Sequence, residues 1–286
     1  SGGHSVKKTA LLAILAIFIG CAGLTISCKG GFATRSAANL VQKNWGDTGH
    51  EKFHAFAENN FPLCTPAAIR DKALKWANST RCLQSKTGLP VDTVLLGDSH
   101  AEHLFIGLAE NLPKRNIAFY IRGALPLTDE PEFRNIFAHL KADTHIRDVL
   151  IAAYWLHRGV PEPSMRLTVN MLQEAGKRVA IIDDVPDFLF DPSTCQYDRV
   201  FRNNKCSQKR EDYKVRSHSY FSALRKLSEV NSQLTFISVL NSLCDTSDCY
   251  MSRDGTLLYR DRHHLNINGS RYVGSLLSKH TWFTSH

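Results

Sequence analysis

The sequence predicts an α/β protein built on a mostly parallel sheet of about five strands, and three observations carry that prediction. Short apolar runs rich in β-branched residues recur through the C-terminal two thirds of the chain. Stretches with helical spacing alternate with them, which indicates parallel strands covered on both faces. With 286 residues, 43% of them hydrophobic, the chain can bury one full α/β core and still carry an extension.

The extension is N-terminal. Thr9 to Ser27 carries no charge and is long enough, at helical rise, to span a hydrocarbon core. A transmembrane helix within residues 1–28 is the favoured reading. A cleavable signal led by Lys7-Lys8 and a lipoprotein-like signal ending Ile19-Gly20-Cys21 are the alternatives. Residues 29–90 are polar and mixed, with Trp45, Phe53, Phe56 and Phe61 spaced for helices that lie on a larger body. We read them as a helical linker packed on a catalytic domain spanning 91–286.

Within that domain the expected strands run from Thr93 to Leu96, Ile117 to Ile121, Val149 to Trp155, Val179 to Ile182 and Leu234 to Leu240. Expected helices run from His100 to Asn111, Phe133 to His145, Ser164 to Glu174 and Asp212 to Val230, with a closing helix from Ile267 to Ser278. Ligands of such sheets bind at the carboxyl ends of the strands. Gly97-Asp98-Ser99-His100 lies at the end of the first strand, and Asp261-Arg262-His263-His264-Leu265 precedes the closing helix, so the two segments can meet at one edge.

These two segments supply complementary chemistry. A serine hydroxyl is a poor nucleophile until a base within hydrogen-bond reach takes its proton, and a third group must fix the tautomer of that base. Ser99 is the candidate nucleophile, His264 the base and Asp261 its orienting carboxylate, three residues away on one turn. A serine between a strand end and a helix start also turns its own N–H toward a developing oxyanion.

The paired blocks resemble the SGNH (GDSL-like) hydrolase superfamily, whose nucleophile lies in Gly-Asp-Ser and whose C-terminal block reads Asp-x-x-His. A closer resemblance is to SGNH domains fused behind membrane acyltransferases of family 3, which open with Gly-Asp-Ser-His-Ala and end with a cysteine pair before Tyr-x-Asp-x-x-His-Leu. Here Gly97 to Ala101, then Cys244, Cys249 and Tyr259 to Leu265, fit that pattern, and the likeness covers roughly Val91 to His280. It implies a three-layer α/β/α, flavodoxin-like fold and a Ser-His-Asp acyltransferase. It also implies a membrane acyltransferase domain upstream, passing acetyl from acetyl-coenzyme A, with no cofactor bound by this domain. The implied acceptor is a surface polysaccharide such as lipopolysaccharide O-antigen, and the implied place is the periplasmic side of a bacterial inner membrane.

One departure stands out. The superfamily places an oxyanion glycine after the second strand, a role open to Gly123, and an oxyanion asparagine after the third. Here the third strand is followed by Ala152-Ala153-Tyr154-Trp155-Leu156-His157, without asparagine. The hole is therefore thinner or differently built, and a lost donor costs about a hundredfold or more in rate. Trp155 is a candidate for substrate contact or for plain packing, and His100, part of the family block, is expected to line the site.

Beyond Cys21 and Cys28, six cysteines remain: Cys64, Cys82, Cys195, Cys206, Cys244 and Cys249. Sequence neighbours make natural pairs in loops, which indicates disulfides and an oxidising compartment, with connectivity open and buried thiols the alternative for Cys64 and Cys82. Net charge is +8, and the runs Arg199 to Arg216 and Arg253 to Arg262 suit a phosphate-bearing glycan, anionic lipid headgroups of the bilayer or plain solvation. Nucleic acid is a poor candidate, since no basic motif interleaved with aromatics occurs. No Cys-x-x-Cys motif is present, so a zinc site of thiolates is not expected, and neither is a catalytic metal. Two rival functions use the same reading: an esterase with water as acceptor, and a glycan-binding domain without catalysis.

Overall fold

A computed structural model describes residues 3–29, 49–195 and 206–284. Trp45 with most of the first half of the expected linker, and the Arg199 end of the first basic run, lie outside these residues. The chain divides into two compact units, 1–46 and 47–286. In the first, helix α1 covers Gly3–Cys28, and its stretch Lys8–Cys28 is long and apolar enough to cross a membrane.

The second unit holds a parallel five-stranded sheet of β1 (Thr93–Gly97), β2 (Ile117–Ile121), β3 (Asp148–Ala152), β4 (Arg178–Ile182) and β5 (Leu234–Ile237). Its order is β2-β1-β3-β4-β5. That is the flavodoxin-like order, in which the connections leave β1 and β3 in opposite directions and open a crevice at their carboxyl ends. Strand residues alternate between faces. Val94, Leu96, Tyr120, Val149, Ile151 and Ile181 therefore share one buried face. It is covered by α4 (Arg134–Ala142), α5 (Glu162–Glu174) and α6 (Arg210–Glu229) through Ile136, Leu140, Met165, Val169, Leu172 and Leu224. The other face carries α3 (Ser99–Asn111), with Phe105 and Phe119 ring centroids 5.0 Å apart, and α7 (Ile267–Leu277) beside it.

The contact between α3 and α7 is the structural hinge of the site. A Cβ on Gly107 would stand 1.8 Å from the Ser270 carbonyl oxygen, and one on Gly274 would stand 2.3 Å from the Gly107 carbonyl carbon. Two backbones meet directly there, so the helix that begins at Ser99 and the helix that follows His264 are held at a fixed separation.

Two strands end earlier than their apolar runs. The run from Val149 to Trp155 is strand only to Ala152, because the Asp98 carboxylate accepts the Tyr154 N–H at 3.1 Å and Asp184 accepts the Leu156 N–H at 2.7 Å. The chain then turns into a short helix, Trp155–Arg158. Similarly, Asp183 takes the Val239 N–H and the Ser238 hydroxyl, each at 2.6 Å, and ends β5 at Ile237.

Residues 49–90 lie on the body of this unit. Helix α2 (His50–Asn60) buries Phe53, His54 and Ala57. Leu83 accepts the Phe119 N–H at 3.1 Å and Gln84 bridges to Ala118, so this segment shields the β2 edge, which would otherwise offer unpaired backbone groups. Disulfides join Cys64 to Cys82, Cys195 to Cys206 and Cys244 to Cys249, whereas Cys21 and Cys28 on α1 are free and exposed.

Candidate active site

Gly97 ends β1 where a Cβ would stand 1.7 Å from the Ala152 carbonyl oxygen, so no larger residue fits between β1 and β3. Asp98 then caps α3: its Oδ1 accepts the His100 N–H at 2.9 Å. Its other oxygen accepts the Tyr154 N–H and, at 2.8 Å, Nε of Arg158. One carboxylate thus fixes the helix start and the loop after β3. Ser99 follows, half-buried, at the first position of α3, where N–H groups have no intrahelical acceptor.

From the other side, Tyr259 bridges to Leu265 and the Arg260 N–H reaches the His264 carbonyl at 2.9 Å, closing a tight turn. Asp261 Oδ1 accepts the backbone N–H groups of His263 at 2.9 Å and His264 at 2.7 Å. Its Oδ2 lies 2.6 Å from His264 Nδ1, and His264 Nε2 lies 2.8 Å from Ser99 Oγ. The structure therefore brings Ser99, His264 and Asp261 into one hydrogen-bonded line. Burial would raise the Asp261 carboxyl, but hydrogen bonds from His264 and His50 outweigh it and hold the group far below the usual carboxylate range. Burial keeps His264 neutral well below the ordinary imidazole range, against the pull of Asp261. A neutral imidazole with its Nδ1 proton on a carboxylate leaves Nε2 free to take the serine proton.

The remaining candidates fall differently. The Gly123 N–H is engaged by Glu132 Oε2 at 3.3 Å, a long bond that an oxyanion would have to displace. Trp155 does not face the site: it is fully buried and its indole N–H donates to the Ile182 carbonyl at 2.9 Å, so it anchors the core beneath the turn. His100 is buried rather than exposed to the cleft, with Nδ1 2.9 Å from Asp184 Oδ1 and Nε2 3.1 Å from His263 Nδ1. Both rings lie flat against Tyr154, at 4.4 Å and within 9° of parallel.

Three participants have no local sequence signature. His50, at the start of α2, places Nε2 2.9 Å from Asp261 Oδ2, so the carboxylate serves two imidazoles. Arg260 is buried with its guanidinium 4.0 Å over the Phe53 ring, and burial lowers it to about 10. Tyr154 becomes visible only when the β3 loop is seen to stack on two histidines. By contrast, Asp98 before a helical run is a readable helix cap.

The family model described as the SGNH domain fused to AT3 domains matches residues 64–279. Among curated proteins no sequence relative matches. Of solved structures, the periplasmic domain of a lipopolysaccharide acetyltransferase from Salmonella ser. Paratyphi A aligns with TM-score 0.57 at 17% identity, covering 83% of this chain and 94% of that one. An aryl esterase of M. smegmatis aligns with TM-score 0.35 at 13% identity, covering 66% of this chain and 97% of that one. The first shares the fold, and the second alignment is too loose to carry an argument. With the parallel five-stranded sheet and the match over most of its length, the chain belongs to the family of SGNH domains fused to AT3 domains.

Proposed function

We propose that this domain transfers an acetyl group, through an acyl-enzyme on Ser99, to a hydroxyl of a bacterial surface polysaccharide such as lipopolysaccharide O-antigen. The observation that carries the reading is the Ser99–His264–Asp261 line, with contacts of 2.8 and 2.6 Å, in a family named for its fusion to AT3 domains. In this reading a membrane acyltransferase domain, upstream in the same polypeptide, draws acetyl from acetyl-coenzyme A and presents it on the periplasmic side of the inner membrane. Helix α1 is then a membrane span.

Ser99 Oγ attacks the acetyl carbonyl carbon while His264 Nε2 takes its proton. Negative charge collects on the carbonyl oxygen, held by the Ser99 N–H at the α3 N-terminus and by the Gly123 N–H once Glu132 yields it. Collapse expels the donor's leaving group, which takes the proton from His264. A sugar hydroxyl then gives its proton to His264 and attacks the acyl-enzyme, and the proton returns to Ser99 as the acetylated sugar leaves. Asp261 keeps the imidazolium oriented and charge-balanced throughout.

Incubation of the domain with an activated acetyl ester, with and without a polysaccharide acceptor, tests the reading by mass spectrometry of the glycan. Acetylated sugar is expected. Release of acetate alone, unaltered by acceptor, would make the domain an esterase working through the same residues. Ser99→Ala and His264→Ala should each lower turnover by about 10⁴-fold or more with the fold intact. Unchanged transfer by Ser99→Ala, or failure of a fluorophosphonate probe to label Ser99, would leave a glycan-binding role instead.

A further inference from the structure

Three imidazoles converge beside the nucleophile. The ligating nitrogens of His100, His263 and His264 all lie within 4.8 Å of one another. A tetrahedral zinc ion with bonds of about 2.0–2.1 Å holds its nitrogen ligands about 3.3 Å apart, so the 3.1 Å between His100 Nε2 and His263 Nδ1 already matches one edge. The far nitrogen of His264 is hydrogen-bonded to a carboxylate, Nδ1 2.6 Å from Asp261, and His100 Nδ1 lies 2.9 Å from Asp184, within ion-pair distance but off the line of a hydrogen bond. On His264 the carboxylate fixes the tautomer, aims the lone pair of Nε2 inward and raises its basicity toward a metal.

We propose that His100, His263 and His264 form a site for a transition-metal dication, zinc foremost, that switches the enzyme off by occupying the lone pair of the base. The observation that points to a metal is the convergence of three imidazole nitrogens within 4.8 Å of one another, one of them on a carboxylate-oriented ring, a ligand set that suits zinc and not magnesium or calcium. Of these rings His100 is buried, and of the two partly exposed ones His264 is held by Asp261 and Ser99, so His263 is the side chain able to turn. Its proton, now shared between Nδ1 and His100 Nε2, moves to its own Nε2, and Nδ1 then faces the ion. His100 and His264 keep their protons on the nitrogens facing Asp184 and Asp261. Ser99 Oγ, 2.8 Å from His264 Nε2, loses its hydrogen bond and stands where a fourth ligand or a bound water completes the shell.

The inhibition rests on the proposed transferase or esterase chemistry, whereas metal binding does not. Binding is therefore read on the full chain carrying Ser99→Ala, by titration with Co²⁺ in the absorption region of tetrahedral cobalt and by calorimetry with zinc. We expect one zinc per chain at this site and an intense tetrahedral cobalt spectrum. His263→Ala should abolish that spectrum, with circular dichroism unchanged. His50→Ala should retain it, since His50 belongs to the competing group with Asp261 and His264. In the active chain, micromolar zinc should block acyl transfer reversibly, with full recovery on chelation and none of the effect from magnesium. The His263→Ala variant should need at least tenfold more zinc. A pale octahedral spectrum, a tetrahedral one that survives His263→Ala, or one lost in His50→Ala would overturn the site. Intact binding without zinc inhibition would overturn the switch alone.

Discussion

Asp261 is asked to hold two histidines at once, and that sharing is the sharpest constraint at the residue scale. His264 needs the carboxylate for its tautomer, while His50 uses the same oxygen at 2.9 Å from a side chain 40% exposed. A second donor narrows the range of positions open to Asp261, which acts through His264 and not on substrate. His50→Ala should thus lower kcat by on the order of tenfold with KM unmoved, the size expected for one hydrogen bond to a charged group. His50→Gln, whose amide can still donate, should recover much of the loss. Steady-state kinetics on the three proteins decides it, and equal kcat in all of them would remove His50 from the site. The hydrogen-bonded line of Ser99, His264 and Asp261 was legible because each of the three sits in a short block with its own chemistry. His50 was not, because its role is created by a contact between segments more than two hundred residues apart, within a stretch that reads as an ordinary polar helix.

At the scale of elements, the site depends on two helices that touch backbone to backbone. Alternating apolar runs made the strands readable, and the C-terminal ends were misjudged only where a buried aspartate captures a backbone N–H and turns the chain, as Asp98 and Asp184 do after β3. Apolar patterning cannot register such a capture, since the residues beyond the turn, such as Trp155, are as buried as those before it. Glycines at a helix crossing are equally silent in a sequence. Gly107→Ala must push its new methyl against the Ser270 carbonyl at a spacing no contact tolerates. We expect a loss of about 1–3 kcal/mol or more in denaturant unfolding, the usual cost of overpacking. Turnover should fall as well, because Ser99 and His264 sit at the near ends of the separated helices. Gly23 on α1, where nothing stands within 4 Å of an added Cβ, is the control for packing.

For the whole molecule, pH is the variable that reads the buried charge pattern. Burial lowers His54 to about 4 and pushes His103 and His264 well below the ordinary 6.5. Each therefore binds a proton more readily when unfolded. Stability from these groups is complete above about pH 6.5 and is lost as pH falls through the window below it. Asp183, raised by burial to about 7, acts in the opposite sense, since its folded form gains the proton first. Burial also lowers His139 and His263 and raises Asp184, so five histidines stand against two aspartates and set the sign: the thermal midpoint of the full chain should fall between about pH 6.5 and pH 4, and calorimetry across that range checks it. A midpoint that rises on acidification would show that the aspartates govern. Catalysis should share the acid tolerance of His264, with kcat/KM holding below pH 6.5, where an ordinary imidazole base would already lose its function.

The contact between His50 and Asp261 also moves a boundary. The family match begins at residue 64, yet a partner of the proposed catalytic carboxylate lies fourteen residues upstream of it, on a helix that follows the apolar segment. A chain cut at the edge of the recognised domain would keep every motif by which the family is known and lose a ligand of its own reaction centre.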